Sequence, residues 1–211
     1  MPLEFEYRFF KYNKDNIISK IKALGGKQVH IPVLYSSYKY YLPYNDIKYM
    51  EIRVRKEYNK TCLTIKKKIK NKFDDEYEVD VSDFEKMDKI MTLLGAERKY
   101  FVEKIREKWL IIDSGEIVFD QYPGAPEYME VESQTKKKLD TLVNQLELNN
   151  FKFNGGYKKL LSLEYKYKKK KQDYNKPLTF ENAEEKIKPY LKENTELFLS
   201  RLMEQKCIIK S

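Results

Sequence analysis

The sequence has 211 residues, 41% of them hydrophobic and 14% aromatic, which is too apolar for a disordered charge-rich tail and long enough for one medium domain or a domain with a tail. Lys+Arg 42 against Asp+Glu 33 leaves a formal charge of +9, which points to an anionic partner: nucleic acid, a membrane surface or a phosphorylated small molecule. A single histidine and two cysteines exclude a disulfide framework and cysteine-rich or two-histidine zinc sites, so carboxylates, lysines and arginines must carry any chemistry.

Met1-Pro2-Leu3-Glu4 has neither the basic nor the apolar region of a secretory leader, and no apolar run approaches the ~20 residues of a membrane span. A soluble, cytoplasmic protein without a membrane partner is expected. Residues 3–11 alternate, predicting a strand with Leu3, Phe5, Tyr7 and Phe9 on one face and Glu4, Glu6 and Arg8 on the other. Asp15 reads as the N-cap of a helix with the stripe Ile17, Ile18, Ile21 and Leu24, stopped by Gly25-Gly26. Strands rich in tyrosine and valine follow at 27–41, 47–57 and 61–69, with turns at Pro43–Asp46 and Tyr58–Lys60.

The pattern then restarts. Residues 76–81 alternate, Ser82 to Glu85 reads as a capping box, and Phe84, Met87, Ile90, Met91 and Leu94 form the stripe of a helix ended by Gly95. Strand, helix, Leu-Gly and strand thus occur at 4–25 and again at 76–95, a weak duplication that suggests a pseudo-symmetric sheet. Strands at 98–112, 116–121 and 127–133, joined at Asp113–Glu116 and Pro123–Pro126, bring the total to eight, and Thr135 caps a helix with Leu139, Leu142, Val143 and Leu146. Eight strands suffice to close an antiparallel barrel with helices outside, an α+β fold spanning residues 1–165. A lysine-rich linker at 166–176 precedes a helical tail at 177–211, in which Ile187, Leu191, Phe198, Leu202 and Met203 keep helical spacing around Pro189 and are expected to dock on the barrel.

Charges along the strands are sorted by sign. Glu4/Glu6, Glu76/Glu78/Asp80 and Glu130/Glu132 are acidic pairs at i, i+2, whereas Arg53/Arg55, Lys66/Lys68 and Lys104/Arg106 are basic ones. Period two puts each pair on one face, where like charges about 7 Å apart repel unless ligands compensate them. The opposite faces, Phe5/Tyr7/Phe9, Ile52/Val54, Leu63/Ile65, Tyr77/Val79/Val81, Ile105/Trp109 and Met129/Val131, are expected to pack under outer helices, which turns the charges inward. A charged interior suits divalent cations on the acids and phosphates on the bases.

These residues resemble the CYTH, or triphosphate tunnel metalloenzyme, superfamily. Glu4-Phe5-Glu6-Tyr7-Arg8 is similar to its N-terminal Glu-x-Glu-x-Lys signature, and Arg53-Val54-Arg55, Leu63-Thr64-Ile65-Lys66, Glu76-Tyr77-Glu78, Lys104-Ile105-Arg106, Asp120 and Glu130-Val131-Glu132 resemble the successive motifs in order over residues 3–165. The resemblance implies an eight-stranded tunnel binding a triphosphate with one or two Mg²⁺ or Mn²⁺ ions. It implies metal ligands at Glu4, Glu6, Asp120, Glu130 and Glu132, and a phosphate grip from Arg8, Arg53, Arg55, Lys66, Lys104 and Arg106. It gives catalytic roles to Glu6, Glu78 and Lys66, with Glu76 and Glu78 positioning basic residues or the attacking water. The family's first lysine is Arg8 here, which keeps the charge and loses a proton donor.

Hydrolysis of inorganic, nucleoside or organic triphosphate is the expected activity. Class IV adenylate cyclase chemistry, making 3′,5′-cyclic AMP and pyrophosphate from ATP, is the alternative, followed by RNA 5′-triphosphatase activity and by non-catalytic polyphosphate or nucleotide binding. The chain is expected to be a monomer or homodimer. Lys136–Lys138 and Lys168–Lys171 read as solvated charge runs, His30 and Trp109 as structural, and Cys62 and Cys207 as free thiols without a role.

Overall fold

The computed structural model describes residues 3–42, 50–68, 74–168 and 177–210, with the side chains of Leu3, Glu4, Lys67, Lys68, Asp74 and Asp75 left aside. The turn expected at Pro43–Asp46, the outer ends of the strands expected at 47–57 and 61–69, and linker residues 169–176 lie outside that range. Eight strands are present: β1 (Leu3–Phe9), β2 (Lys27–Tyr41), β3 (Met50–Lys56), β4 (Thr61–Lys68), β5 (Asp74–Val81), β6 (Glu97–Ile111), β7 (Gly115–Gln121) and β8 (Tyr128–Ser133). They pair antiparallel in the order β1-β5-β4-β3-β2-β6-β7-β8, and the sheet curls round until β1 meets both β8 and β5. The β1–β8 join has five register pairs, while β1–β5 has two, Leu3 with Asp75 and Glu4 with Asp74. Those two pairs are the whole of the β1–β5 seam among the described residues.

Exchanging β1, β2, β3 and β4 for β5, β6, β7 and β8 maps this order onto itself, so the sequence duplication is a topological one. Each half opens with strand, helix and strand: α1 (Lys14–Ala23) in the first half and α2 (Phe84–Leu93) in the second. Their N-caps lie beside the expected ones. Asn13 accepts the Asn16 N–H and Asp83 accepts the Lys86 N–H, which leaves Asp15 in the first turn of its helix and Ser82 outside the cap.

The alternation places the core outside the sheet. Phe9, Trp109, Ile117, Phe119, Met129 and Val131 pack beneath Ile17 and Ile21 of α1 and beneath Leu139, Leu142, Val143 and Leu146, which α3 (Lys136–Gln145) and its C-cap contribute. A second cluster sets Tyr40, Ile52 and Val54 under Phe84 and Met91 of α2. Two expectations fail here. Ile90 and Leu94 are exposed, because only one side of α2 meets the sheet, and Tyr77 and Val79 of β5 are more than half exposed, because no described helix covers that strand.

The third cluster joins the sheet to the chain beyond it. Ile105, Ala125 and Tyr128 pack with Leu160, Leu161 and Tyr165 of α4 (Tyr157–Tyr165), Ile187 of α5 (Ala183–Ile187) and Phe198 and Leu202 of α6 (Thr195–Lys210). Met203 faces outward, and Tyr167, expected in a solvated linker, is buried against Tyr190. No described helix is long and apolar enough to cross a membrane.

Burial separates two apolar positions that the sequence treats alike. Leu142→Ala should cost about 2–5 kcal/mol and lower the melting temperature by roughly 5–15 °C, whereas Ile90→Ala should stay within about 0.5 kcal/mol of wild type, both read by thermal unfolding.

Candidate metal and anion site

Register explains how the sequence assembles this interior. Glu6 pairs with Glu132 and Arg8 with Glu130 across β1 and β8, Arg106 with Asp120 across β6 and β7, and Lys66 with Glu76 and Thr64 with Glu78 across β4 and β5. All these positions share the face opposite the apolar clusters. Halfway round the strand order from β8, β3 brings Arg53 and Arg55 to the same interior.

The acidic wall is a trio. One carboxylate oxygen each from Glu6, Glu130 and Glu132 lies within 4.8 Å of the other two. Burial, and then the charge of Glu130, push the Glu6 carboxyl from 4.5 to about 8 despite Arg8 at 2.8 Å. Left to themselves, three converging carboxylates keep a proton among them, so the arrangement fits a hard divalent cation, for which carboxylate oxygen is the preferred donor. Asp120 is held differently. Arg106 donates to both of its oxygens at 2.7 and 2.6 Å and Lys104 donates at 2.7 Å, which keeps the fully buried carboxyl below its usual range in spite of desolvation. It lies outside the trio and reaches Glu130 through Arg106, which also donates to Glu130 at 2.9 Å. The Glu4 side chain is outside the described set.

The basic positions are all present and each leans on a carboxylate. Arg8 donates to Glu130 at 2.7 Å, Arg53 to Glu76 at 3.4 Å and Arg55 to Glu78 at 3.1 Å, and Lys66 pairs with Glu76. Arg55 also meets Glu57 at 2.5 Å. Among the described residues the buried Nε of Arg53 has no hydrogen-bond partner. Desolvation, and then the neighbouring Arg106, pull Lys104 down to about 8.

A cavity of about 880 Å³ lies among Arg53, Arg55, Lys66, Arg106, Glu132 and Tyr35 and runs out between the β3–β4 turn, at Glu57 and Lys60, and the β6–β7 turn, at Asp113 and Ser114. Several of its residues escaped the sequence reading. Lys108 extends the Lys104/Arg106 face by one more period, a signal that was available, and it pairs with Glu116 at 2.7 Å. Lys60 looked like an ordinary turn residue, yet it donates to Glu78 at 2.8 Å. Tyr35 carried no signal. Its hydroxyl donates to Nε2 of the buried His30, whose Nδ1 donates to the Ile31 carbonyl, which gives the lone histidine a structural place.

Residues 2–156 match the CYTH domain family. Among solved structures, the fold is similar to that of a Vibrio parahaemolyticus protein named "putative adenylate cyclase", at 17% identity and a TM-score of 0.64, over 76% of this chain and 98% of that one. It is also similar to the PH1819 protein of Pyrococcus horikoshii OT3, at 25% identity and 0.59 over 76% and 98%, and to the PH1012 protein of the same organism, at 23% and 0.59 over 74% and 98%. No curated protein matches the sequence.

Glu78 yields a pH prediction. Its carboxyl is lowered to about 2: burial opposes the shift, and Lys60, Arg55 and Thr64 together override it. A lowered carboxyl stabilises the fold above its unfolded value near ~4.3 and loses that contribution as pH falls toward 2. Glu78→Gln should therefore destabilise the protein by about 1 kcal/mol at pH 7, the pairing being partly screened by solvent, with the difference from wild type vanishing in denaturant melts near pH 2.

Proposed function

The chain belongs to the CYTH domain family, and from that premise we propose that it is a metal-dependent hydrolase of a triphosphate-bearing substrate, taken into a tunnel that the eight strands close all the way round. The observation that carries this reading is the Glu6/Glu130/Glu132 trio set across the interior from Arg53 and Arg55. Glu6, Glu130 and Glu132, with Glu4 one strand period away, would hold Mg²⁺ or Mn²⁺, while Asp120 contributes by orienting Arg106 and Lys104. Such an ion, when bound, offsets phosphate charge and makes a water molecule more acidic.

The remaining chemistry belongs to side chains. Arg53, Arg55, Lys66, Lys104 and Arg106 present donors that can pass from carboxylate to phosphate oxygens, and the Nε of Arg53, without a partner among the described residues, can donate to one directly. Arg8 retains the charge of the family lysine and points its guanidinium at Glu6 and Glu130. Glu76 and Glu78 hold Arg53 and Arg55 in place while the substrate is absent. A carboxyl at about 2 is a poor proton acceptor at neutral pH, so Glu78 acts by orienting Arg55.

Hydrolysis is preferred over cyclisation because the cavity offers a base little to stack on. Tyr35 and Tyr77 are its aromatic lining among the described residues, and the Arg106 guanidinium lies 5.8 Å from the Tyr35 ring centre. Cyclase chemistry draws on the name of the Vibrio protein, which is 17% identical to this chain.

Incubation with tripolyphosphate, ATP or 5′-triphosphate RNA, each with Mg²⁺ or Mn²⁺, tests the proposal through its products. Phosphate release from tripolyphosphate is expected to be fastest. Pyrophosphate together with 3′,5′-cyclic AMP from ATP would sink the hydrolase reading, and preferential release from RNA would move the substrate to a 5′ end. Glu130→Gln should abolish metal-dependent turnover with the fold intact by circular dichroism, and Arg53→Ala should raise KM by about tenfold or more, since a charge-assisted grip is lost.

A further inference from the structure

We infer that the chain beyond the CYTH match positions the candidate site through the β7–β8 turn, with Gln205 of α6 as the positioning residue; the inference rests on the reading of the Glu6/Glu130/Glu132 trio given above. The turn Tyr122–Pro126 sits between Asp120 at the end of β7 and Tyr128 and Glu130 on β8. One main-chain hydrogen bond of its own is present, from Ala125 N–H to the Tyr122 carbonyl at 2.9 Å. Among the described residues, its other main-chain hydrogen bonds come from residues 157–210.

Gln205 is 1% exposed and spends both ends of its amide on the turn. Its Oε1 accepts the Gly124 N–H at 2.8 Å, and its Nε2 faces the carbonyls of Tyr122 and Ala125, both at 3.2 Å, and Oε1 of Gln121 at 3.3 Å. The Tyr157 hydroxyl donates to the Pro123 carbonyl at 2.9 Å, and the Tyr165 hydroxyl to the Gly124 carbonyl at 2.8 Å. Each carbonyl from Tyr122 to Ala125 is thereby engaged. Gly124 has φ +70°, and a Cβ there would lie 2.0 Å from the Phe198 ring, so α6 sits where only glycine leaves room. Packing alone would be served by leucine at 205. A buried amide with its hydrogen-bonding capacity spent on one turn fixes direction, because any misalignment leaves polar groups unpaired away from water.

From the turn the constraint reaches the carboxylates in two contacts. The Tyr122 ring stacks on Tyr128 at 6.0 Å and 6°, and the Tyr128 hydroxyl stands 3.3 Å from Asp120 Oδ2 and 3.4 Å from Glu130 Oε1. Gln205 touches neither acid, so it acts through Tyr122 and Tyr128.

The test uses the full chain carrying Gln205→Leu, the gentler Tyr165→Phe, which removes one hydroxyl and keeps the ring, and Ile187→Ala as a packing loss elsewhere in the same cluster. Amide hydrogen exchange on metal-free protein should quicken by about tenfold or more at Gly124 and from Tyr128 to Glu130 in Gln205→Leu, and less in Tyr165→Phe, with β3 and β4 unchanged. Mn²⁺ affinity by calorimetry should fall by roughly tenfold, the usual consequence of loosening a group that orients a ligand. Ile187→Ala should lower the melting temperature and leave both readouts in place. Unchanged exchange at Tyr128–Glu130 in both variants that touch the turn, or an equal loss of Mn²⁺ affinity in Ile187→Ala, would overturn the inference. A wild-type protein that takes up no Mn²⁺ would overturn the metal reading instead, and the exchange measurement would then decide the positioning role by itself.

Discussion

Arg106 and Asp120 face each other across β6 and β7, with none of the carboxylate exposed and two hydrogen bonds between them. Removing either partner would leave a buried charge short of hydrogen bonds, at a cost of about 3–5 kcal/mol. The rest of the interior is arranged around that constraint. Glu130 remains ionised beside Asp120 because Arg106, Lys104 and Arg8 outweigh burial and the neighbouring acid. Glu6 is raised instead, by burial first and then by Glu130 and Glu132, which Arg8 and Lys66 do not offset. The acid that stays out of balance thus belongs to the trio that suits a cation.

Much of this was legible in the alternation. Once Phe9, Met129 and Val131 are committed to the outer core, period two leaves Arg8, Glu130 and Glu132 no choice but the inner face. Partner identity was not legible, because register depends on loops and bulges that a single strand does not reveal. The resemblance grouped Asp120 with the metal-holding acids, and its cross-strand neighbour is Arg106, from which, with Lys104, it accepts its hydrogen bonds. Lys60 was invisible for the same reason, since it gains its role from Glu78 on β5, while Tyr35 meets His30 of its own strand across an irregular stretch of β2 that alternation does not foresee. The exposed Tyr77 and Val79 show the opposite failure: alternation marks a face as apolar without saying whether a helix will come to cover it.

Two β-hairpin turns correspond under the exchange of halves, β3–β4 and β7–β8, and the chain treats them differently. Lys60 in the first stands beside the cavity, while the second is tied down by Gln205, Tyr157 and Tyr165. The duplication supplied a symmetric frame, and the segment after it made the two ends unequal.

That inequality gives the interior a direction. Because successive strands run antiparallel, the β3–β4 and β7–β8 turns stand at opposite ends of the sheet, and the cavity runs out beside the first, next to the β6–β7 turn. A highly charged guest would then pass one threshold, flanked by Lys60 and Lys108, with the tied β7–β8 turn at the opposite end of the sheet.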